Sequence, residues 1–259
     1  MNILDEIAGK TKQRIQEEKS RVSVEDLKSR IVKNEISFLG ALKKEGMSYI
    51  CEVKKASPSK GLIAPDFPYL KIAREYEAAG ASAISCLTEP YYFLGSDRYL
   101  QEITSEVKIP VLRKDFTVDE YMIYQARAFG ASAVLLICAI LDDVQLKSYR
   151  ELSESMGMDA LVEAHDEREV ERALRCGAKI VGVNNRDLRT FQVDMANSIR
   201  LRKIAPRDVV FVSESGIRTS EDIRRLYDNQ VDAVLIGETL MRSGDKKAAL
   251  ELLNGGPLQ

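Results

Sequence analysis

The chain has no tryptophan, one histidine (His165) and four cysteines in 259 residues. Cys51, Cys86, Cys138 and Cys176 are far apart and form no C-x-x-C pair. One histidine cannot complete a zinc finger, so no metal is expected. Three of the four cysteines sit inside apolar runs and read as buried free thiols of a reducing compartment, the cytoplasm. No apolar run reaches the roughly 18–20 residues that a membrane helix needs. The segment from Met1 to Arg21 is too charged for a signal peptide. Neither sign of charge is in excess: 38 Lys+Arg stand against 40 Asp+Glu, net −2. This excludes a nucleic-acid coat and a basic membrane anchor as expectations. An anionic ligand must then be held by local donors rather than by the field of the whole chain. With 15 glycines the chain is not collagen-like, and with 45% hydrophobic and 30% charged residues it is an ordinary globular mixture.

Alternation is what the sequence does have. Up to residue 45 the pattern is helical, with Ile3, Leu4, Ile7, Ile15, Leu27 and Ile31 at helix spacing among many charges. From Tyr49 onward, eight short β-type runs alternate with amphipathic stretches. The runs are Tyr49–Lys54, Ala83–Leu87, Val111–Lys114, Ala133–Cys138, Ala160–Ala164, Ile180–Asn184, Val209–Ser213 and Ala233–Ile236, with a last helix near Asp245–Leu253. Gly80-Ala81-Ser82-Ala83-Ile84 recurs as Gly130-Ala131-Ser132-Ala133-Val134. Gly177-Ala178-Lys179-Ile180-Val181 and Val231-Asp232-Ala233-Val234-Leu235 are weaker copies. Each copy places a helix end before a strand start. Strand–helix alternation means parallel strands with helical crossovers, and eight such units in roughly 210 residues fit a closed (β/α)8 barrel. A doubly wound sheet is the alternative, but the first strand is followed by Ala56-Ser57-Pro58-Ser59-Lys60-Gly61 and not by G-x-G-x-x-G. No linker rich in Pro, Gly or Ser interrupts the chain. The reading is one α/β domain over residues 1–259, a TIM barrel with an N-terminal helical extension over residues 1–45.

Strand parity then selects candidate residues. Ile50, Glu52 and Lys54 share a face, and in a barrel the apolar Tyr49–Cys51–Val53 set belongs outside under the helices. The same logic aims Lys114, Glu163, Asn184 and Glu214 inward. All lie at the C-terminal strand ends, where barrel enzymes keep their chemistry. Unpartnered buried charges cost several kcal/mol, so such a set is not expected as ornament. Gly216, after the seventh strand, and Gly237, after the eighth, allow backbone N–H groups to approach a phosphate, and Ser57 adds a hydroxyl. His165 falls on the other side of its strand end, at a helix start, and is expected in a loop or structural role.

These residues lie in motifs that resemble the series of the indole-3-glycerol phosphate synthase family. The motifs are Glu52-Val53-Lys54-Lys55-Ala56-Ser57-Pro58-Ser59, Leu87-Thr88-Glu89, Tyr92-Phe93, Leu112-Arg113-Lys114-Asp115-Phe116, Leu161-Val162-Glu163-Ala164-His165, Gly182-Val183-Asn184-Asn185-Arg186-Asp187-Leu188 and Ser213-Glu214-Ser215-Gly216-Ile217. The likeness implies a carboxy-lyase of tryptophan biosynthesis with no cofactor and no metal. Its substrate would be 1-(2-carboxyphenylamino)-1-deoxyribulose 5-phosphate, and its products indole-3-glycerol phosphate, carbon dioxide and water. It further implies Lys114 as the acid of ring closure. Lys54 with Glu52, or Glu163, would be the dehydration groups. Asn184, Glu214 and Ser215 would hold sugar hydroxyls, and Ser57, Gly216, Gly237 and Glu238 the phosphate. Pro58, Phe93, Phe116, Leu135 and Ile137 would wall the aromatic ring, with Arg186 orienting the Asn184 loop or the substrate. The chain departs from the series in lacking a tryptophan in its N-terminal extension. It also carries Glu238 after Gly237, where a small residue suits a phosphate, so the Glu238 side chain is expected to point away. A sugar phosphate is the expected partner, with no nucleic acid, no membrane and a monomeric chain. Two other readings are an aldolase working through a lysine Schiff base, which borohydride would trap, and a barrel that binds phosphate without turnover.

Overall fold

The computed structural model describes residues 3–31, 36–187 and 190–256. Eight parallel strands close into a barrel: β1 (Ser48–Val53), β2 (Ala83–Leu87), β3 (Val111–Lys114), β4 (Ala133–Ile137), β5 (Asp159–Ala164), β6 (Ile180–Asn184), β7 (Val210–Glu214) and β8 (Ala233–Ile236). Closure is made by β8 on β1, from Ser48↔Ala233 to Cys51↔Ile236. The helices are α1 (Ile3–Arg21), α2 (Val24–Ser29), α3 (Phe38–Leu42), α4 (Tyr69–Ala78), α5 (Asp97–Glu106), α6 (Glu120–Ala128), α7 (Asp143–Ser155), α8 (Glu167–Arg175), α9 (Ala196–Arg202), α10 (Ser220–Asp228), α11 (Glu238–Arg242) and α12 (Lys246–Leu253). Strand bounds match the sequence reading within a residue. An antiparallel ribbon of Ala56–Ser57 with Gly61–Leu62, in the loop after β1, was not expected. No helix among the described residues is long and apolar enough to cross a membrane.

The repeat seen in the sequence is a helix-terminating turn. Gly80, Gly130 and Gly177 take φ of +89°, +86° and +85°. Ala81, Ala131 and Ala178 then donate backward to the carbonyls of Tyr76, Ala126 and Ala173, the bond that satisfies a helix's last carbonyls. In the weakest copy Val231 makes the same bond to Leu226, but Gln230 holds the left-handed position at φ +65°. The geometry survives where the glycine signal does not.

Period-two alternation sorts the core into two layers. Cys51, Val53, Ile84, Cys86, Val134, Leu136, Val162, Val183 and Phe211 lie in the layer packed under the helices. Ile50, Leu112, Leu135, Ile137, Leu161, Ile180, Val212 and Leu235 fill the barrel interior. All four cysteines are free and buried. The N-terminal helices close both ends of the barrel. Phe38 and Leu42 on α3 join the interior cluster, and Leu39 N–H donates to Asp159 at the start of β5 at 2.8 Å, which puts α3 across the N-terminal end. Leu4 and Ile7 on α1 join the same cluster beside Phe116, at the opposite mouth. A buried ion pair pins α1 there, with Arg14 Nη2 2.8 Å from Asp115 Oδ2. Thr88 Oγ1 also donates to that oxygen at 2.7 Å. Burial alone would raise the Asp115 carboxyl, but Arg14 and Arg113 outweigh it and hold it below the usual range.

Candidate active site

The C-terminal ends of the strands surround a cavity of about 410 Å³. The residues to which the sequence assigns a catalytic or binding role line it: Glu52, Lys54, Ser57, Pro58, Phe93, Lys114, Phe116, Leu135, Ile137, Glu163, Asn184, Arg186, Glu214, Ser215, Gly216, Gly237 and Glu238. Pattern reading did not find the cations Lys60, Arg218 and Arg242, nor Ile3, Leu4 and Ile7 of α1, which line it too. The α1 residues could have been found from their helical spacing only by knowing which end of the barrel the helix crosses.

Two clusters of charge sit on the floor. Lys114 Nζ lies 2.7 Å from Glu214 Oε2 and 3.2 Å from Glu163 Oε2. Lys54 Nζ lies 2.6 Å from Glu52 Oε1, and Ser85 Oγ donates to Glu52 Oε2 at 3.3 Å. Burial would strip Lys114 of its proton, but Glu214, Glu163 and Glu52 outweigh it and raise the ammonium well above the ordinary lysine value. The two carboxylates diverge. Burial raises Glu214, Lys114 pulls it back, and neighbouring Glu163 pushes it up again, to about 7. Burial works the same way on Glu163, but Lys114, then His165, bring it below the usual carboxylate value. Carboxyl groups pushed apart in this way can divide proton-holding and proton-accepting work between them.

Two glycines make room for these groups. A Cβ at Gly182 would stand 2.3 Å from Glu214 Oε1, and one at Gly237 2.5 Å from Glu52 Oε1 and 2.7 Å from Lys54 Nζ. Gly237 was expected to serve a phosphate through its backbone, and the structure gives it a second duty beside the Lys54–Glu52 pair. At the end of β7, Ser215 and Gly216 take φ of +70° and +89° in succession. Asn185 secures that turn, its Nδ2 donating to Ser215 O at 3.1 Å and to Ser213 Oγ at 3.0 Å. Asn184 Oδ1 accepts from Arg186 N–H at 3.0 Å, and Arg186 Nη1 donates to Phe191 O at 3.1 Å.

Glu238 departs from expectation. Its carboxylate does not turn away: it lies 3.6 Å from Lys60 Nζ and 3.1 Å from Arg242 Nε at the cavity edge. Two cations answer its charge, which removes the objection to a carboxylate at this end. His165 stands in the loop between β5 and α8 and does not line the cavity, but its ring lies 3.7 Å from Glu163, a contact that strand parity does not show.

Barrel order gives the cavity a polarity. On the arc of β2, β3 and β4 the wall is apolar, with Phe93 and Phe116 ring centroids 6.2 Å apart beside Leu135 and Ile137. On the arc of β7, β8 and β1 the glycines, most of the hydroxyls and the cations Lys60, Arg218 and Arg242 gather, with Glu238 and the apolar Ile63, Ile217, Leu235 and Ile236 among them. Fold and site together describe a (β/α)8 barrel whose strand ends bring lysines and carboxylates into one cavity. The comparisons name the family. The sequence profile for indole-3-glycerol phosphate synthase matches residues 4–253. The chain is 56% identical over 257 residues to the indole-3-glycerol phosphate synthase of Ruminiclostridium cellulolyticum, covering 98% of this chain and 99% of that protein. It is 58% identical over 247 residues to that of Endomicrobium trichonymphae, covering 94% and 96%. Among solved structures, 3-hexulose-6-phosphate synthase from Salmonella typhimurium superposes with a TM-score of 0.66 at 13% identity, over 81% of this chain and 97% of the other, a likeness of fold. The chain belongs to the indole-3-glycerol phosphate synthase family, and it is a carboxy-lyase of tryptophan biosynthesis.

Proposed function

We propose that the chain converts 1-(2-carboxyphenylamino)-1-deoxyribulose 5-phosphate to indole-3-glycerol phosphate, carbon dioxide and water, with the residues of this cavity as its acids and bases. The observation that carries the reading is the polarity of the cavity. An apolar arc, an ion-paired floor and an opposite arc of glycines and cations succeed one another as ring, sugar and phosphate do in that substrate.

The aromatic ring lies against Phe93, Phe116, Leu135, Ile137 and Pro58, under Leu4 and Ile7. The phosphate lies at Ser57, Gly216, Gly237 and the N–H of Glu238, with Lys60, Arg218 and Arg242 around it. In ring closure, the ring carbon bearing the carboxylate forms a bond to the ketone carbon, and the C=O electron pair moves onto oxygen. Lys114 is a cation in this environment, and an alkoxide is a far stronger base than an amine, so the proton passes from Nζ to oxygen as charge develops. The bond to the carboxylate then breaks, carbon dioxide leaves, and its electron pair restores the aromatic ring. Dehydration needs an acid at the departing hydroxyl and a base at the adjacent carbon. Lys54 with Glu52 and the carboxylate of Glu163 supply these from opposite sides. Glu214, Asn184 and Ser215 hold the sugar hydroxyls between the two arcs.

The test is to mix protein and substrate and follow indole fluorescence, which the absence of tryptophan leaves on a low background. Turnover without any added metal or cofactor supports the reading. Tight binding without turnover contradicts it, and a borohydride-trapped adduct on Lys54 or Lys114 points to the aldolase chemistry instead.

A further inference from the structure

Lys114 touches two carboxylates, and contact with it does not tell them apart. The asymmetry lies in what stands behind each. Behind Glu214 Oε1 is Gly182, and that oxygen is buried with no hydrogen-bond partner. Behind Glu163 is His165, the chain's only histidine. His165 directly follows β5 and its side chain is 20% exposed. Glu169 Oε2 accepts from the His165 backbone N–H at 2.8 Å and lies 3.2 Å from its Nδ1, which fixes the ring. Asn197 Nδ2 donates to the His165 carbonyl at 3.0 Å and pins the loop. The remaining ring nitrogen, Nε2, is buried without a hydrogen-bond partner and stands 3.7 Å from Glu163 Oε1.

We propose that His165 is a positioning residue for the reaction: as imidazolium it keeps Glu163 in the carboxylate form, so that Glu214, with only a glycine behind it, is the member of the pair that takes up a proton. The proposal rests on the acid–base reading given above. Charged groups face the ring from three elements. Glu163 comes from β5, Glu169 from α8 and, at longer range, Glu214 from β7. On α9 the residue at the loop is neutral Asn197, and Arg200 is engaged by Glu167 and by Asn197 Oδ1. Burial disfavours the imidazolium, but these three carboxylates outweigh it and raise the ring above the ordinary 6.5. Coupling is reciprocal: whatever His165 does for Glu163, Glu163 does for His165.

That reciprocity supplies a test independent of turnover. One histidine gives one imidazole signal, so an NMR pH titration of the unliganded protein reads its charge directly. The midpoint is expected above 6.5, lower in Glu163→Gln, and moved less by Glu214→Gln. In His165→Asn the acid limb of kcat is expected to move to higher pH with KM little changed. Below the limb, each pH unit of movement lowers kcat about tenfold. An imidazole that titrates below 6.5 or ignores Glu163→Gln overturns the proposal, as does an unmoved limb in His165→Asn. Failure of the underlying reading looks different: wild-type protein would not turn the substrate over, whatever its imidazole does.

Discussion

Glu214 gives a prediction with a sign and a size. It is buried, one oxygen unpartnered, and its carboxyl is raised from 4.5 to about 7. A carboxyl raised on folding holds its proton more tightly in the folded chain, so ionising it costs stability. The cost is absent below pH 4.5, grows as pH rises through the interval, and is complete above pH 7. From 4.5 to about 7, at about 1.4 kcal/mol per pH unit, it comes to about 3 kcal/mol. Glu214→Gln keeps the shape and removes the charge. Lys114 retains Glu163 at 3.2 Å, so the ammonium is not stranded. At pH 8 the variant is expected to be more stable than wild type by up to about 3 kcal/mol, or about 6–12 °C in Tm for a chain of this size. The gap should shrink to about 1 kcal/mol or less at pH 5. Carboxylates remote from Glu214 cancel in the difference, so urea or thermal unfolding of both proteins from pH 5 to 8, without substrate, reads Glu214 together with the groups coupled to it, Glu163 and His165. Turnover should fall in the same variant. A gap that does not change with pH, or a wild type that is the more stable at pH 8, refutes the reasoning.

Gly237→Ala places a methyl 2.5 Å from Glu52 Oε1, so kcat should fall as KM rises. Gly216→Ala at φ +89° meets Val193 at 2.5 Å and should chiefly raise KM, since only the turn proposed to hold the phosphate is displaced. Steady-state kinetics on the two variants separates these outcomes. Arg14→Ala leaves the buried Asp115 carboxylate with Arg113, 3.6 Å away, as its remaining cation, so the loss should stay below the ~3–5 kcal/mol of a fully broken buried pair. The substitution should also loosen α1, exposing the N-terminal segment to limited proteolysis and raising KM as Leu4 and Ile7 leave the mouth. Arg14→Met with Asp115→Asn should recover part of the stability.

The barrel and its inward residues were legible because a strand's side chains alternate with period two. Once Tyr49, Cys51 and Val53 are assigned to the helix layer, Glu52 and Lys54 have nowhere to point but the interior. What stayed hidden depends on contacts between distant segments. Arg14 meets Asp115 across a hundred residues, and nothing in either local pattern announces the other. Gly237 reads as a backbone device and Gly182 only as a motif residue, whereas both are spaces left for the side chains of the Lys54–Glu52 pair and of Glu214. Glu238 looked misplaced beside a phosphate until Lys60, from the ribbon after β1, was seen against it. His165 is the loop residue that its position implies, but its contact with Glu163 stays hidden because strand parity says nothing about a ring beyond the strand's end.

Lys114 carries the central claim. In the proposed mechanism its proton meets the ketone oxygen only as the new bond forms, so losing it should lower kcat far more than it weakens binding. General acids contribute about 10²–10⁴-fold. In single-turnover and steady-state assays on the carboxyphenylamino-deoxyribulose phosphate, Lys114→Ala is expected to lose at least about 100-fold in kcat with KM changed modestly. Lys114→Arg should not restore it, since a guanidinium gives up its proton too reluctantly. A Lys114→Ala protein that turns over within about tenfold of wild type would contradict the account and move the acid of ring closure to Lys54.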